Sequence, residues 1–411
     1  MKNNHIPDIR FPGFTGVWEQ RKLSDIKDVR DGTHDSPKYY NEGFPLVTSK
    51  NLRENGLDMT DVSLISEEDF QSINKRSKVD IGDIIFGMIG TIGNPVIVDR
   101  EGFAIKNVAL IKNGGDVTNA FLIQLLKSPI FGEYIRNENV GNTQKFLGLS
   151  KIRDYQFLSP SCQEQIKIGN FFKQLDQTIN LHQQELSTLK QTKQGFLQKM
   201  FPKEGESVPE VRFPGFTRDW EQRKLGEISD VTKLAGFEFT KYVIYKDEGK
   251  IIALRGLNVK NNKLVLDDVK YIDQSDFSKL NRSKLFKDDI LFTYVGTVGE
   301  LAVVPENDKY YLAPNVARIR LNDNVNPQFV SQMMGNRMFY DKVIFPLIAT
   351  SSQPALSMEN VRKFVLKLPN IEEQIKIGNF FKQLDDTISL YQQELDALHE
   401  TKKAFLQKMF V

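Results

Sequence analysis

The sequence predicts an α+β protein: two globular mixed α/β domains and two long antiparallel coiled-coil helices, arranged as a pseudo-twofold tandem repeat. Two observations predict this class. The second half of the 411-residue chain repeats the first half, and each half ends in a stretch whose apolar residues recur every 3.5 positions, the period of a coiled coil. Before these stretches, short strand-like runs, glycine turns and amphipathic helical runs favour mixed α/β domains.

Two anchors define the repeat. The segment PDIRFPGFTGVWEQRKL at 7–23 recurs at 209–225 with 13 of 17 residues identical, and residues 164–201 recur at 373–410 with 29 of 38 identical. The offset between the copies rises from 202 to 209 along the chain, which a few small insertions explain, so the whole half is duplicated. Residues 30–65 and 232–272 share little beyond an apolar pattern. Two explanations account for this difference equally well. Either the loop sequences have drifted without constraint, or the two domains keep one scaffold and bind different things.

The repeat sets the predicted domain boundaries. Each half contains a leader segment, a globular domain and a long helix, and a short polar linker joins the two halves. The predicted ranges are 1–160 for the first domain with its leader at 7–23, 161–201 for the first helix, 202–208 for the linker, 209–369 for the second domain with its leader at 209–225, and 370–411 for the second helix.

Each long helix carries a heptad seam, which predicts that it pairs with the other helix in a left-handed supercoil. Two separate core helices are the alternative. Lys193 and Lys402 interrupt the two seams at the same place, which indicates register setting or snorkelling. His182 on the seam is a conceivable pH switch, but its counterpart is Tyr391, so an amphipathic core residue is the simpler interpretation. The interface positions are Phe172, Leu175, Ile179, His182, Leu186, Leu189 and Phe196 in the first helix, and Phe381, Leu384, Ile388, Tyr391, Leu395, Leu398 and Phe405 in the second.

The helix starts and their direction also follow from the sequence. Ser161 with Glu164, and Asn370 with Glu373, have the spacing of capping boxes. Antiparallel pairing needs only a short connection through the second domain, so we expect it. About 35 helical residues would make a rod of roughly 52 Å, which equals about 15 base pairs of duplex DNA.

Polar residues in the globular domains suggest contacts with DNA. Gly90-Thr91-Ile92-Gly93 and its copy Gly296–Gly299 follow strand-like runs at 83–86 and 289–292, and we interpret them as hairpin turns whose amides could approach phosphate. Arg76-Ser77-Lys78 and its copy Arg282-Ser283-Lys284 have side chains that suit phosphate contacts, although a solvated turn explains them equally well. Arginine, lysine and glutamine can also pair with base edges. The candidate DNA-binding residues are Lys50, Arg76, Lys78, Thr91, Gln144, Arg255, Arg282, Lys284, Thr297 and Gln353.

Composition and missing motifs exclude several classes of function. The start of the chain resembles no signal peptide and no long apolar run occurs, so we expect no membrane association and a cytoplasmic protein. One cysteine and four histidines show no metal-ligand spacing. No Walker A sequence, zinc-protease motif, N-P-P-[YFW] motif or repeated Ser/His/acid set appears. We therefore expect no catalytic residues, no metal, no cofactor and no enzymatic activity. The net charge of +2 means that any affinity for DNA comes from local patches or a partner.

The tandem of R-F-P-G-F-x-x-x-W-E-x-R-K-L, a variable domain, a proline and E-Q-x-K-I-G-x-F-F-x-x-L-D-x-x-I resembles the specificity subunit of type I restriction-modification systems. The match covers nearly the whole chain, with Pro160 before 164–179 and Pro369 before 373–388. The resemblance implies that the globular parts are target-recognition domains, which bind the halves of a bipartite, asymmetric site in double-stranded DNA. It further implies that the helices are spacers, and that two methyltransferase subunits and two restriction/translocase subunits assemble on this scaffold.

Two other classes of function compete with this interpretation. A coiled-coil scaffold that assembles proteins without reading DNA would have the same helices. A stand-alone nuclease or methyltransferase would show activity as a purified chain, which we do not expect.

Overall fold

The structure is a computed structural model that describes residues 5–54, 56–139, 146–349 and 353–411. Internal contacts divide the chain into two compact units. The first unit contains residues 1–185 and 392–411, and the second contains residues 186–391. Each unit therefore combines one globular domain with the first part of one long helix and the last part of the other.

The first half of the chain contains eleven strands and six helices among its described residues. In chain order they are β1 (Glu19–Lys22), α1 (Leu23–Ile26), β2 (Val29–Asp31), β3 (Phe44–Val47), β4 (Leu52–Arg53), β5 (Gly56–Leu57), β6 (Ser63–Ile65), α2 (Glu67–Ser77), β7 (Ile84–Gly87), β8 (Gly93–Ile97), β9 (Ala104–Ile105), β10 (Val108–Ile111), α3 (Asn119–Lys127), α4 (Pro129–Glu138), α5 (Leu149–Asp154), β11 (Gln156–Ser159) and α6 (Cys162–Lys199).

The second half repeats most of this order. Its elements are β12 (Glu221–Lys224), α7 (Leu225–Ile228), β13 (Ser229–Lys233), α8 (Gly236–Tyr242), β14 (Ile252–Leu254), β15 (Val259–Lys260), β16 (Lys263–Leu264), β17 (Lys270–Tyr271), β18 (Ile290–Thr293), β19 (Leu301–Val303), β20 (Tyr310–Leu312), β21 (Val316–Leu321), α9 (Pro327–Met334), α10 (Arg337–Phe339), α11 (Met358–Arg362), β22 (Val365–Leu368) and α12 (Ile371–Lys408).

The sheets show that the two domains share one topology. The order β2-β10-β7-β8 in the first unit recurs as β13-β21-β18-β19 in the second, and β6-β3-β9 recurs as β17-β14-β20. The two-stranded sheets β1-β11 and β4-β5 recur as β12-β22 and β15-β16. The strand register also repeats, because Ala109 lies between Asp31 and Phe86 as Ala317 lies between Lys233 and Phe292. The predicted α+β tandem repeat is therefore confirmed, including the segments whose sequences have diverged.

An aromatic core explains why the leader and the helix sequences stay nearly identical. In the first unit Trp18 packs edge-on against Phe121, at 5.8 Å between ring centroids, and Phe172 packs against Phe410. In the second unit Trp220 packs against Phe329 and Phe381 against Phe201. All eight rings are buried. Burial of such large apolar side chains stabilises the fold, so the repeated tryptophan and phenylalanine positions are core positions.

The leader segments are attached to the long helices by matched buried ion pairs. Arg10 donates two hydrogen bonds of 2.7 Å to the Glu164 carboxylate, and Arg212 donates two of 2.8 and 2.7 Å to Glu373. Both carboxylates are about 1% exposed. In each unit the leader also reaches the end of the other helix, since the Ile9 amide donates to the Lys408 carbonyl.

The predicted capping boxes are therefore only partly present. The Asn370 side chain accepts from the Glu373 amide at 2.9 Å, as predicted. At Ser161 the backbone carbonyl is the group that accepts from the Glu164 amide. In a capping box the glutamate side chain also folds back onto the backbone of its own cap. This part of the prediction was wrong, because each carboxylate instead binds an arginine more than 150 residues away.

The long helices pack antiparallel within each unit. In the first unit, Phe171 of α6 meets Phe405 of α12 with 4.9 Å between ring centroids, and Asp176 pairs with Lys402 at 2.7 Å. In the second unit, Lys193 pairs with Asp385 at 2.7 Å and Phe196 meets Phe380. Residue numbers rise along one helix as they fall along the other. The positions of the predicted seam are all buried or half-buried.

The two seam lysines have the same role in both units. Lys193 and Lys402 are largely buried, with 16% and 11% of their side chains exposed, and each forms an ion pair with an aspartate of the other helix. These pairs are copies of each other at the offset of 209. Register setting therefore explains both lysines better than snorkelling, because an ion pair between the helices is satisfied at one alignment only.

Candidate nucleic-acid interface

Three segments meet at one end of the four-stranded sheet in each unit, and we call this region the tip. In the first unit the tip consists of residues 48–51, 88–92 and 146–148. The Ser49 hydroxyl donates to the Ile89 carbonyl at 3.0 Å, and the Leu147 amide donates to the Met88 carbonyl at 2.9 Å. In the described part of the tip, hydrogen bonds thus join residues 48–51 and residues 146–148 to the hairpin at 88–92.

The second unit builds the same tip from residues 255–258, 294–299 and 353–356. The Gly296 amide donates to the Pro354 carbonyl at 2.9 Å, and the Leu356 amide donates to the Tyr294 carbonyl at 2.8 Å. Gly256 lies beside Thr293, the last residue of β18 before the hairpin. A Cβ on Gly256 would be 4.0 Å from the Thr293 side chain, an ordinary packing distance. Segments that are distant in sequence therefore converge at the same place in both domains.

The glycine motif at the centre of each tip is a hairpin turn, as predicted. Strands β7 and β8, and strands β18 and β19, pair antiparallel on either side of it. Gly90 and Gly296 have φ values of 74° and 78°, in the left-handed region that favours glycine. Thr91 and Thr297 follow these glycines and are exposed. The turn therefore presents one hydroxyl to solvent in each domain.

Lys50 and Arg255 both lie in the tips, but at positions that differ by two residues. A buried asparagine that makes the same hydrogen bond in both tips shows which residues correspond. The Asn51 side chain accepts from the Thr48 amide at 3.0 Å, and the Asn258 side chain accepts from the Arg255 amide at 3.1 Å. Arg255 thus corresponds to Thr48, and Lys50 corresponds to the exposed Leu257. Sequence comparison missed this asparagine because the surrounding residues differ; its only signal is one shared residue in Lys50-Asn51-Leu52 and Leu257-Asn258-Val259.

The two cations of the tips differ in how available they are. The Lys50 ammonium lies 3.2 Å from the Asp61 carboxylate, and both side chains are mostly exposed. The Arg255 guanidinium donates to both the carbonyl and the carboxylate of Asp268 at 2.8 Å, and only 23% of its side chain is exposed. Lys50 can therefore exchange its partner for a phosphate at little cost, whereas Arg255 also holds the fold of its loop.

Of the two glutamine candidates, only Gln353 lies among the described residues. Gln353 is exposed and directly precedes Pro354 of the second tip. Gln144 lies outside the described residues. Phe146 bridges to Ile89 as Ala355 bridges to Val295, so these two residues join their hairpins in the same way.

The repeated Arg-Ser-Lys groups lie at the edge strands β2 and β13. Arg76 forms an ion pair with Asp31 of β2, and Arg282 donates to the Thr232 hydroxyl of β13 at 3.3 Å. Lys78 and Lys284 pair with Asp80 and Asp308, and each carboxylate raises the pKa of its lysine. The structure does not bring these four cations into the tips.

The serine of each Arg-Ser-Lys group cannot serve as a phosphate ligand. Ser77 and Ser283 are both 1% exposed, and the Ser77 hydroxyl donates to the Ile73 carbonyl at 3.2 Å. The expectation that two cations and a hydroxyl act together was therefore wrong for the hydroxyl, which faces the core.

Two asparagines at the same position of the two domains also belong to this region. Asn107 and Asn315 have φ values of 54° and 72°, and their carbonyls accept from the amides of Met88 and Tyr294 at 3.2 and 3.1 Å. Each asparagine thus supports the hairpin of its tip. Both asparagines begin the sequence Asn-Val-Ala, which recurs at an offset of 208, but this repeat does not by itself indicate a role.

Comparison with known proteins decides the family. The family described as type I restriction modification DNA specificity domain matches residues 16–191 and again residues 217–400. The chain belongs to this family. The two matches coincide with the two halves of the repeat, so the resemblance drawn from the leader and helix motifs is confirmed.

Relatives of the specificity family match along most of the chain. The putative type I restriction enzyme MjaX specificity subunit of Methanocaldococcus jannaschii is 23% identical over 95% of this chain and 92% of its own length. The MjaVIII specificity subunit of the same organism is 19% identical over 88% of this chain and 84% of its own length. A crystal structure of a type I restriction-modification S subunit from M. genitalium covers 99% of both chains with a TM-score of 0.66 at 15% identity, a likeness of fold.

Two further observations concern membrane-spanning helices and metal sites. No helix in the described ranges is long and apolar enough to span a bilayer. Within the same ranges, no three histidine, cysteine, aspartate or glutamate side chains are grouped as a metal site requires.

Proposed function

We propose that this chain is the DNA-reading, non-catalytic subunit of a type I restriction-modification complex, and that each tip binds one half of a bipartite DNA site. The observation that carries the proposal is the duplication of the tip: the same three segments converge twice on the same scaffold, with different exposed side chains. Lys50 in the first tip corresponds to Leu257 in the second. Because base edges are recognised by particular side chains, two different tips recognise two different half-sites, and the whole site is asymmetric.

The charges of the tips suit a subunit that binds DNA with help from partners. The net charge of the chain is +2, and the exposed lysine of the first tip already has a carboxylate neighbour, Asp61. Only a few phosphates are then neutralised by the chain itself. Its affinity as an isolated protein is low, and it falls with salt with a slope set by the number of phosphates that the chain neutralises.

The test exchanges one recognition domain and maps the modified DNA. Residues 226–369 are replaced by the corresponding residues of a divergent relative, and adenine and cytosine methylation is mapped in a host that expresses the methyltransferase partner. We expect one half of the methylated motif to change and the other half to stay. A silent exchange of the same codons is the matched control. An unchanged motif would reject DNA reading in favour of a protein-assembly scaffold.

The long helices support the assembly of two copies of one partner, for which we propose the methyltransferase subunit; two restriction/translocase subunits complete a restricting complex. Ile166 and Leu181 of α6 are exposed, and their counterparts Ile375 and Leu390 of α12 are exposed as well. Core packing does not require these aliphatic side chains, whereas other exposed positions of the two helices differ, as Ser187 and Asp396 do. Aliphatic side chains exposed at the same two positions of both helices fit the same partner twice.

Substitution of this surface tests the proposed assembly. We expect Leu181→Asp with Leu390→Asp to abolish co-purification of the methyltransferase subunit, and each single variant to reduce the stoichiometry, measured by native mass spectrometry, from two copies to one. Ser187→Asp is the control, because Ser187 is exposed and its counterpart is already Asp396. Full binding by the double variant would reject this surface.

The chemistry belongs to the partners in this proposal. Methyl transfer and DNA cleavage require catalytic residues that we assign to the methyltransferase and restriction subunits, and we place the complex in the cytoplasm with its DNA. The purified chain is expected to transfer no methyl group from S-adenosylmethionine and to cleave no DNA with magnesium and ATP. Activity in either assay would contradict the assignment if a substitution in this chain abolishes that activity.

A further inference from the structure

His34 lies between two oxygen atoms just after strand β2. Its Nδ1 atom is 2.8 Å from Oδ1 of Asn107, and its Nε2 atom is 3.0 Å from Oδ2 of Asp31. A neutral imidazole has one N–H group, whereas the imidazolium has two. Since a ring that faces two acceptors satisfies both only when both nitrogens carry protons, this geometry favours the charged form.

The groups around His34 have opposing electrostatic effects. The hydrogen bond to Asn107 and the Asp31 carboxylate raise the pKa of His34 above its ordinary value of 6.5, while partial burial and the Arg76 guanidinium act in the opposite direction. Asp31 is buried and also binds Arg76. The nearby Lys106 ammonium is held by the Ser36 hydroxyl at 2.8 Å. The net effect is that His34 holds its proton more tightly in the folded protein.

His34 thereby joins two segments that support the first tip. The Asn107 amide donates to the Thr33 carbonyl at 3.0 Å, and the Asn107 carbonyl accepts from Met88 at the base of the tip hairpin. The loop after β2 belongs to residues 30–65, the part of the first domain that differs most from the second. The imidazolium thus fastens the variable loop to the asparagine that supports the shared hairpin.

The second domain has no equivalent contact. Lys233 takes the place of Asp31, since both lie opposite an alanine of the central strand, and residues 209–369 contain no histidine. The Lys233 ammonium instead lies 5.0 Å from the centre of the Tyr294 ring. The two tips therefore differ in whether a group that titrates near neutral pH supports them.

We propose that His34 is a positioning residue for DNA recognition by the first domain, acting as an imidazolium that fixes Asn107 and the loop after β2 against the tip. This inference rests on the proposed function. The contact is fully present below pH 6.5 and is lost as the pH rises through the higher pKa of the folded state, because deprotonation leaves one of the two oxygens without a donor. Recognition by the first domain therefore weakens with rising pH, while recognition by the second does not change through this group.

The test measures DNA binding by the complex with its methyltransferase partner, using the duplex found by methylation mapping. At constant ionic strength, we expect the natural complex to lose about three- to tenfold in affinity between pH 6.0 and 8.5, as expected for loss of a charge-assisted hydrogen bond. His34→Gln keeps one donor but does not titrate, so its affinity is expected to be lower at pH 6.0 and nearly flat with pH. His399→Gln, which removes a histidine of α12, is the control and keeps the natural profile.

A second readout separates positioning from simple stability. In a chain whose residues 226–369 come from a relative, the His34-dependent pH profile is expected to persist on the new target, because the effect belongs to the first domain. Thermal unfolding at pH 6.0 checks that His34→Gln is folded. An identical pH profile for His34→Gln and the natural complex would overturn the inference alone. Absence of sequence-selective binding by the natural complex at every pH would instead overturn the proposed function.

Discussion

Removing Arg212 should destabilise the second unit strongly, because it leaves the Glu373 carboxylate buried without its partner. Arg212 donates both hydrogen bonds to a carboxylate that is 1% exposed. Loss of one partner of such a pair costs about 3–5 kcal/mol. We therefore expect Arg212→Met to reduce the free energy of unfolding of this unit by about 3–5 kcal/mol at pH 7.

Urea denaturation of the purified chain, followed by the fluorescence of Trp220 with Trp18 replaced by Phe, measures this cost. Arg212→Met combined with Glu373→Met should recover most of the stability, since an apolar pair of similar volume replaces the ions.

The matched control is Arg223→Met. Arg223 lies 3.6 Å from Glu227 and about half of each side chain is exposed, so its loss should cost less than about 1 kcal/mol. If Arg212→Met costs no more than Arg223→Met, the argument that the leader is anchored to the helix by a buried ion pair is wrong.

Three other predictions concern the helices and the first tip. Lys193→Asp should destabilise the chain by about 2–4 kcal/mol in thermal or urea unfolding by opposing Asp385, and Asp385→Lys in the same chain should restore most of it. Gly169→Ala should lower the free energy of unfolding by about 1–3 kcal/mol, because the new Cβ would lie 2.7 Å from the Cβ of Ala120. Gly195→Ala should instead stabilise the chain by about 0.5–1 kcal/mol, because a Cβ at this helical site would meet no neighbouring group within 4 Å. Equal effects of the two alanines would refute the close packing. Lys50→Ala should weaken DNA binding by the complex and lower the salt slope by about 1, while Lys363→Ala, outside the tips, leaves both unchanged; no change for Lys50→Ala would remove this lysine from the interface.

Features with a local signature were predictable from the sequence. The seam of α6 and α12 repeats every 3.5 residues, and a helix expresses this period directly as one buried stripe. The turn at Gly90 was predictable because glycine supplies the positive φ that the hairpin requires. The duplication added a further constraint, since a strand or helix in one half predicts its copy in the other.

Contacts between distant segments were not predictable in this way. The glutamates of the helix starts have the spacing of capping boxes, but their carboxylates bind arginines more than 150 residues away. A strong charged partner supplied by the tertiary fold outcompetes a local backbone contact. Likewise, Asn51 and Asn258 align only through the loops that they hold, so the sequence does not show that Lys50 and Arg255 occupy positions two residues apart.

The most direct test of the central claim is to give the chain two copies of the first recognition domain. Residues 24–160 are placed at positions 226–369 as well, and the methylated motif is mapped across the genome of a host that expresses the methyltransferase partner. Because both tips would then be identical, both halves of the motif should become the half-site read by the first domain. A motif that keeps two different halves, in a complex that still assembles and methylates, would contradict the claim that each tip reads its own half.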